Sequence, residues 1–298
     1  RRLRAVGRAS RARGRAHAAS RRRRALHPGR RFASFRFDAA RGLRLREVDE
    51  AALSAALRAH RTGEGAEWLE HGARTRVSAV AGQARPMLVK EFVRGGWAHR
   101  LADVFRGSPA RRAWLGGYGL QAHRIGAATP LAFLERRRLG VPVASTLVLE
   151  DLRPASPADA IDARGAAAVE LIDALARLAL QLHTCGVEHG DLKASHVWLA
   201  RRDGRLETKL IGLEGVRFPR KLSDASRLRA LAELNASLPD SIPDAPRCHA
   251  FALYAALLPF RVPAQQALRD LVAYSLAREH RWTGAGCALA GDAFRSKR

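Results

Sequence analysis

At 298 residues with 47% apolar side chains, the chain is long enough for two packed lobes or one large domain with a real core. Its formal net charge of +25 suggests nucleic acid until it is mapped: residues 1–31 hold thirteen arginines, no lysine and no acid, so about half of the excess lies there. Three cysteines, far apart and without a C-x-x-C pair, argue against a disulfide framework or a cysteine zinc site and for a reducing compartment; the longest apolar run, Ala250–Phe260, is too short and interrupted to span a bilayer, and no signal peptide opens the chain. A soluble intracellular protein is the expectation.

Residues 1–36 are built from Arg, Ala, Ser and Gly without periodicity, which predicts a basic, disordered segment. With no aromatic residue before Phe32 it lacks a stacking platform, so nucleic acid is not the expected partner. Anionic membrane or lipopolysaccharide attracts the same arginines. From Phe37 a strand-like piece leads into an amphipathic helix with Val48, Leu53, Ala56 and Leu57 at helical spacing. Thr75–Val80 and Met87–Phe92 are predicted strands, the second carrying Lys90. A helix is predicted over 108–126, with Ser108-Pro109 as cap and first residue. Leu131–Glu135 and Ser145–Leu149 are further strands, and Glu150-Asp151-Leu152 before Pro154 marks a hinge. Ala166–His183 places Leu171, Leu175, Leu178 and Leu182 on one buried face. Val197–Ala200 and Thr208–Leu213 form a hairpin around Asp203-Gly204, and helices interrupted by Pro239–Pro246 and Pro259–Pro263 complete the chain. The outline is α+β: strands up to about residue 150, helices after it.

Between the long helix and that hairpin lies His189-Gly190-Asp191-Leu192-Lys193. A carboxylate and an amine on a short loop held by buried elements are fixed rather than free. Together the segments RTRVSAV, MLVKEF, ARRAW, TPLAFLE, STLVLEDL, LARLALQLHTCGVEHGDLKASHVWL and TKLIGLEGVRF resemble, in order and spacing across roughly 70–220, the lipopolysaccharide kinases that phosphorylate Kdo or heptose sugars. The resemblance implies a protein-kinase-like fold of two lobes, 37–150 and 151–298, and an ATP-dependent transfer to a hydroxyl of a lipopolysaccharide core sugar. It also implies a cytoplasmic protein, in peripheral contact with the inner face of the inner membrane through its basic segment. Lys90 would contact the nucleotide phosphates, the backbone of Glu150, Asp151 and Leu152 would hold the adenine, Asp191 would take the hydroxyl proton, and Lys193 would neutralise the transferred phosphoryl.

Where such kinases place an Asn and an Asp to hold the metal, this chain has His196 and Gly212. Magnesium prefers oxygen, so an imidazole suits manganese or zinc better, with Glu214 as a substitute carboxylate if its loop shifts. The lysine's usual glutamate partner is also missing; Ala113 takes its place, and no G-x-G-x-x-G loop precedes Lys90. Two readings therefore stand: a sugar kinase with altered metal preference, or a catalytically impaired pseudokinase that binds nucleotide or a partner. The sequence sets no oligomeric state.

Overall fold

A computed structural model describes residues 18–81, 85–93, 97–278 and 280–290. The chain forms two compact units, Arg1–Leu152 and Arg153–Arg298.

The first unit is built on a seven-stranded antiparallel sheet in the order β1-β2-β6-β7-β5-β4-β3. The strands are β1 (Phe32–Phe37), β2 (Ala40–Leu45), β3 (Ala66–His71), β4 (Thr75–Val80), β5 (Met87–Val93), β6 (Pro130–Arg138) and β7 (Val141–Glu150). Between β2 and β3 runs α1 (Glu50–Thr62), capped by Asp49, whose carboxylate accepts the Ala52 N–H at 3.0 Å, and buried through Leu53, Ala56 and Leu57 as its spacing predicts. Helix α2 (Trp97–Arg106) precedes α3 (Pro109–Ala122), where Ser108 caps and Pro109 opens as expected. The helix stops short of the predicted Gly126, because Arg124 takes a left-handed φ of 58° and the chain turns. Gly42 in β2 has no substitute, since a Cβ there would meet the Phe133 carbonyl oxygen at 1.8 Å.

The expected disorder over residues 1–36 needs correction at its end. Residues 1–17 lie outside the described residues, but 18–24 are helical and 32–36 belong to β1. Phe32 and Phe35 are buried, and Phe32 meets the edges of Trp114 and Tyr118 with ring centroids 5.2 and 4.8 Å apart. The indole N–H of Trp114 donates to the Ala25 carbonyl at 2.7 Å. Buried aromatic contacts outweigh the ordering entropy that composition alone leaves unopposed. Trp114→Phe keeps the packing and deletes that hydrogen bond. It is expected to cost about 1–3 kcal/mol and to speed tryptic cleavage at Arg21–Arg24.

The second unit opens on β8 (Ser156–Pro157) and the long helix α4 (Gly165–Thr184), which buries Leu171, Leu175, Leu178 and Leu182. Then come β9 (Glu188–His189), β10 (Val197–Arg202), β11 (Arg205–Leu210) and β12 (Val216–Arg217). β10 and β11 pair antiparallel from Val197–Leu210 to Arg202–Arg205, and the Asp203-Gly204 turn has φ of 48° and 75° as a tight hairpin requires. Helices α5 (Asp224–Ala236), α6 (Asp244–Leu257) and α7 (Ala264–Leu276) close a core of Leu228, Ala232, Phe251, Ala255, Ala267 and Leu271. No described helix is long and apolar enough to cross a membrane.

Candidate active site

Loop 189–196 is fixed at both ends by backbone. β9 pairs with β12, so that His189 faces Val216, and the Gly190 N–H donates to the Gly215 carbonyl at 3.0 Å. At the far end Ala194–His196 makes a 3-10 turn; the Ala194 N–H donates to Ser237 Oγ at 2.7 Å, and that hydroxyl donates to the Leu234 carbonyl at 2.9 Å. One serine at the end of α5 thus joins a helix to the loop. The sequence offers no signal for this clip, because Ser237 is far along the chain and follows no motif.

Within the loop, Asp191 and Lys193 come together as an ion pair, Nζ to Oδ1 3.2 Å, each side chain 42% exposed. That exposure leaves the pair accessible and its net attraction weak in free solution. The Asp191 N–H donates to His189 Nδ1 at 3.3 Å, which requires that nitrogen to be unprotonated. Burial first, then His196, pushes His189 down to about 4, against the opposing pull of Asp191 and Glu214. His189 is therefore a neutral structural ring that orients the loop.

His196 lies on the other side of Asp191. Its Nδ1 donates to the Asp191 carbonyl at 2.8 Å and stands 3.5 Å from Oδ2. Gly212, in left-handed conformation with φ of 68°, lies under the ring: a Cβ there would meet Nδ1 at 2.8 Å and Cε1 and Cγ at 2.9 Å. Glu214 sits on the following 3-10 turn, Leu213–Gly215, where its charge is felt by His189. Among the described residues no group of three or more His, Cys, Asp or Glu side chains is arranged to hold a metal. His196 and Glu214, the predicted ligands, do not form a set suited to magnesium: with Nδ1 committed to the Asp191 carbonyl, His196 offers only its Nε2 nitrogen where magnesium prefers oxygen, and Gly212 supplies nothing.

Glu233 on α5 is a neighbour of Asp191 that the sequence does not reveal. Its carboxyl hydrogen-bonds to Asp191, and Arg278 Nη1 approaches it at 3.1 Å. Burial first, and then Asp191, raises its pKa, while Arg278 and Lys193 oppose the rise. A raised acid contributes stability at low pH that is lost as pH climbs through its folded value. Glu233→Gln, with no charge to desolvate, is expected to flatten this dependence and to match or exceed the wild-type Tm at pH 7.

In the first unit Lys90 occupies the middle of the sheet, opposite Val77 of β4 and Leu147 of β7, with its ammonium 5.1 Å from the Phe92 ring centroid. Ala113 is fully buried on α3. Two buried acids lie beside that helix: Asp103 of α2, which holds Arg112 at 2.9 Å, and Glu135 of β6, which accepts the Ser108 N–H at 3.3 Å. At the end of β7 the N–H groups of Glu150 and Asp151 donate to the Thr129 and Pro86 carbonyls at 3.0 and 3.2 Å. A base held at this segment would therefore draw on its carbonyls and on Leu152.

An antiparallel sheet carrying a central lysine, followed by a helical unit carrying an Asp-x-Lys loop, defines the protein-kinase-like class of phosphotransferases. WaaP in complex with acyl carrier protein has this fold, with a TM-score of 0.53 at 19% identity over 80% of this chain and 90% of that one. The Rio2 kinase of Chaetomium thermophilum, as its ADP/Mg2+-phosphoaspartate complex, is a more distant neighbour, at a TM-score of 0.44 and 15% identity over 89% and 81%. No curated protein sequence matches the chain. The lipopolysaccharide kinase (Kdo/WaaP) family model matches residues 64–249, more than half of the chain, and the chain belongs to that family. It is an ATP-dependent phosphotransferase of the lipopolysaccharide core kinase type, in a family that generally uses a divalent cation.

Proposed function

We propose that the chain moves the γ-phosphoryl group of ATP to a hydroxyl of a Kdo or heptose sugar in the lipopolysaccharide core. The Asp191–Lys193 pair, anchored on a loop with hydrogen-bonded ends, is the observation that carries this reading. The hydroxyl oxygen forms the new P–O bond as its proton passes to Asp191, and the bond to the β-phosphate oxygen breaks to release ADP. Lys193 sets a positive charge beside the carboxylate, where the transferring group gathers negative charge. Lys90 meets the α- and β-phosphates, and the backbone at 150–152 holds the adenine. ATP as donor puts the reaction on the cytoplasmic face, and the arginines of 1–31 favour an anionic surface there.

The test is incubation of the purified chain with ATP labelled at its γ-phosphate and lipopolysaccharide lacking core phosphate. Label recovered on a core sugar is the expected result. Hydrolysis of ATP without labelled sugar would remove the acceptor, and retained nucleotide binding without any turnover would leave an impaired binding module.

A further inference from the structure

We infer that this chain binds nucleotide without a divalent cation at the position between loop 189–196 and Gly212, the imidazole of His196 standing there instead. The inference rests on the phosphotransferase reading above and concerns how its nucleotide is held. His196 and Gly212 look from the sequence like separate losses of a metal ligand. In the structure they are one feature, since the ring covers the space any side chain at 212 would need.

The arguments are steric and chemical. With the ring in place, the first atom of a side chain at 212 would lie at 2.8–2.9 Å from three ring atoms, inside van der Waals contact. The ring is held by one hydrogen bond and its residue by two more from the backbone. Its Nδ1 must carry the hydrogen, because the Asp191 carbonyl at 2.8 Å can only accept, so the ring's lone pair lies on Nε2, a nitrogen where magnesium prefers oxygen. On the backbone, the His196 N–H donates to the Lys193 carbonyl at 3.0 Å, and the Ile211 N–H donates to the His196 carbonyl at 2.9 Å. Swinging the ring aside to admit an ion would break the Nδ1 bond and uncover Gly212. Positive charge for the phosphates is nonetheless present on the same loop, in the ammonium of Lys193. A fixed ammonium can do part of a cation's electrostatic work without needing oxygen ligands.

The experiment measures ATP affinity by titration calorimetry in EDTA, in magnesium and in manganese, for the wild type, His196→Asn, Gly212→Asp and the double variant, with Tm recorded for each. For the wild type, affinities with and without cation are expected to agree within about twofold. Gly212→Asp alone is expected to lower Tm and to gain no cation dependence, because the carboxylate collides with the ring. The double variant is expected to recover the part of the Tm lost to the collision, the left-handed φ of 68° at 212 keeping the rest, and to bind ATP about tenfold more tightly with magnesium than in EDTA. Magnesium or manganese tightening wild-type binding about tenfold or more would overturn the inference and leave the kinase reading standing. Absence of ATP binding under every condition would overturn both. Gly212→Asp with an unchanged Tm would show that the ring does not fill the space.

Discussion

Asp191→Ala is expected to slow phosphoryl transfer by about 10²–10⁴-fold while changing ATP affinity far less. The structure supplies the reason for the split. Asp191 lies in the second unit, and its contacts there are Lys193, His196 and His189 on the loop and Glu233 on α5. Its carboxylate is thus placed to receive a proton from an acceptor rather than to hold the nucleotide. Removing it deletes the base without deleting Lys193, so the positive charge beside the transferring group remains. Steady-state turnover read against calorimetric ATP affinity checks this. Turnover within a few fold of wild type would mean that the acceptor hydroxyl loses its proton elsewhere, and the role assigned to Asp191 would fall.

Acidification is expected to weaken the second unit by about 3–4 kcal/mol between pH 7 and pH 5. Two buried histidines cause it. His183 is held down to about 3, by burial first and then by Arg227, and its Nδ1 meets Tyr254 Oη at 2.7 Å; His189 is held down to about 4. Once unfolded, each ring takes a proton near its ordinary value of about 6.5. A base with a depressed folded pKa contributes stability that is complete above the unfolded value and lost as pH falls below it, here from about 6.5 down to about 4. Glu233, with its raised value, works in the opposite direction and trims the loss. Urea denaturation at a series of pH values is the measurement. In His183→Gln the slope below pH 6.5 should be roughly halved; an unchanged slope would mean that His183 is not a source of it.

Much of the fold was legible because its signals are local. The cap at Ser108, the leucine face of α4 and the Asp203-Gly204 turn each act through neighbours in sequence, and each is present where the sequence places it. The unforeseen elements differ in cause. β3 is an exposed edge strand with no alternating pattern. α2, WAHRLADVFR, has apolar residues at helical spacing, but its run is only ten residues long. β1 was lost inside an arginine-rich composition that hides Phe32 and Phe35. Residue composition averages over a segment, whereas burial depends on single side chains.

The sequence by itself determined the central strands, the long leucine-faced helix, the Asp191–Lys193 pair on its loop, and the replacement of both oxygen ligands by His196 and Gly212, because residue identity and short-range spacing settle such matters. Only the tertiary structure decided that Trp114 anchors residues across a gap of 89 positions, that Glu233 and Ser237 reach the loop from α5, and that the His196 ring fills the space above Gly212. Those contacts join segments with no common periodicity. Their distances follow from packing alone, and packing is where two separate substitutions become one closed site.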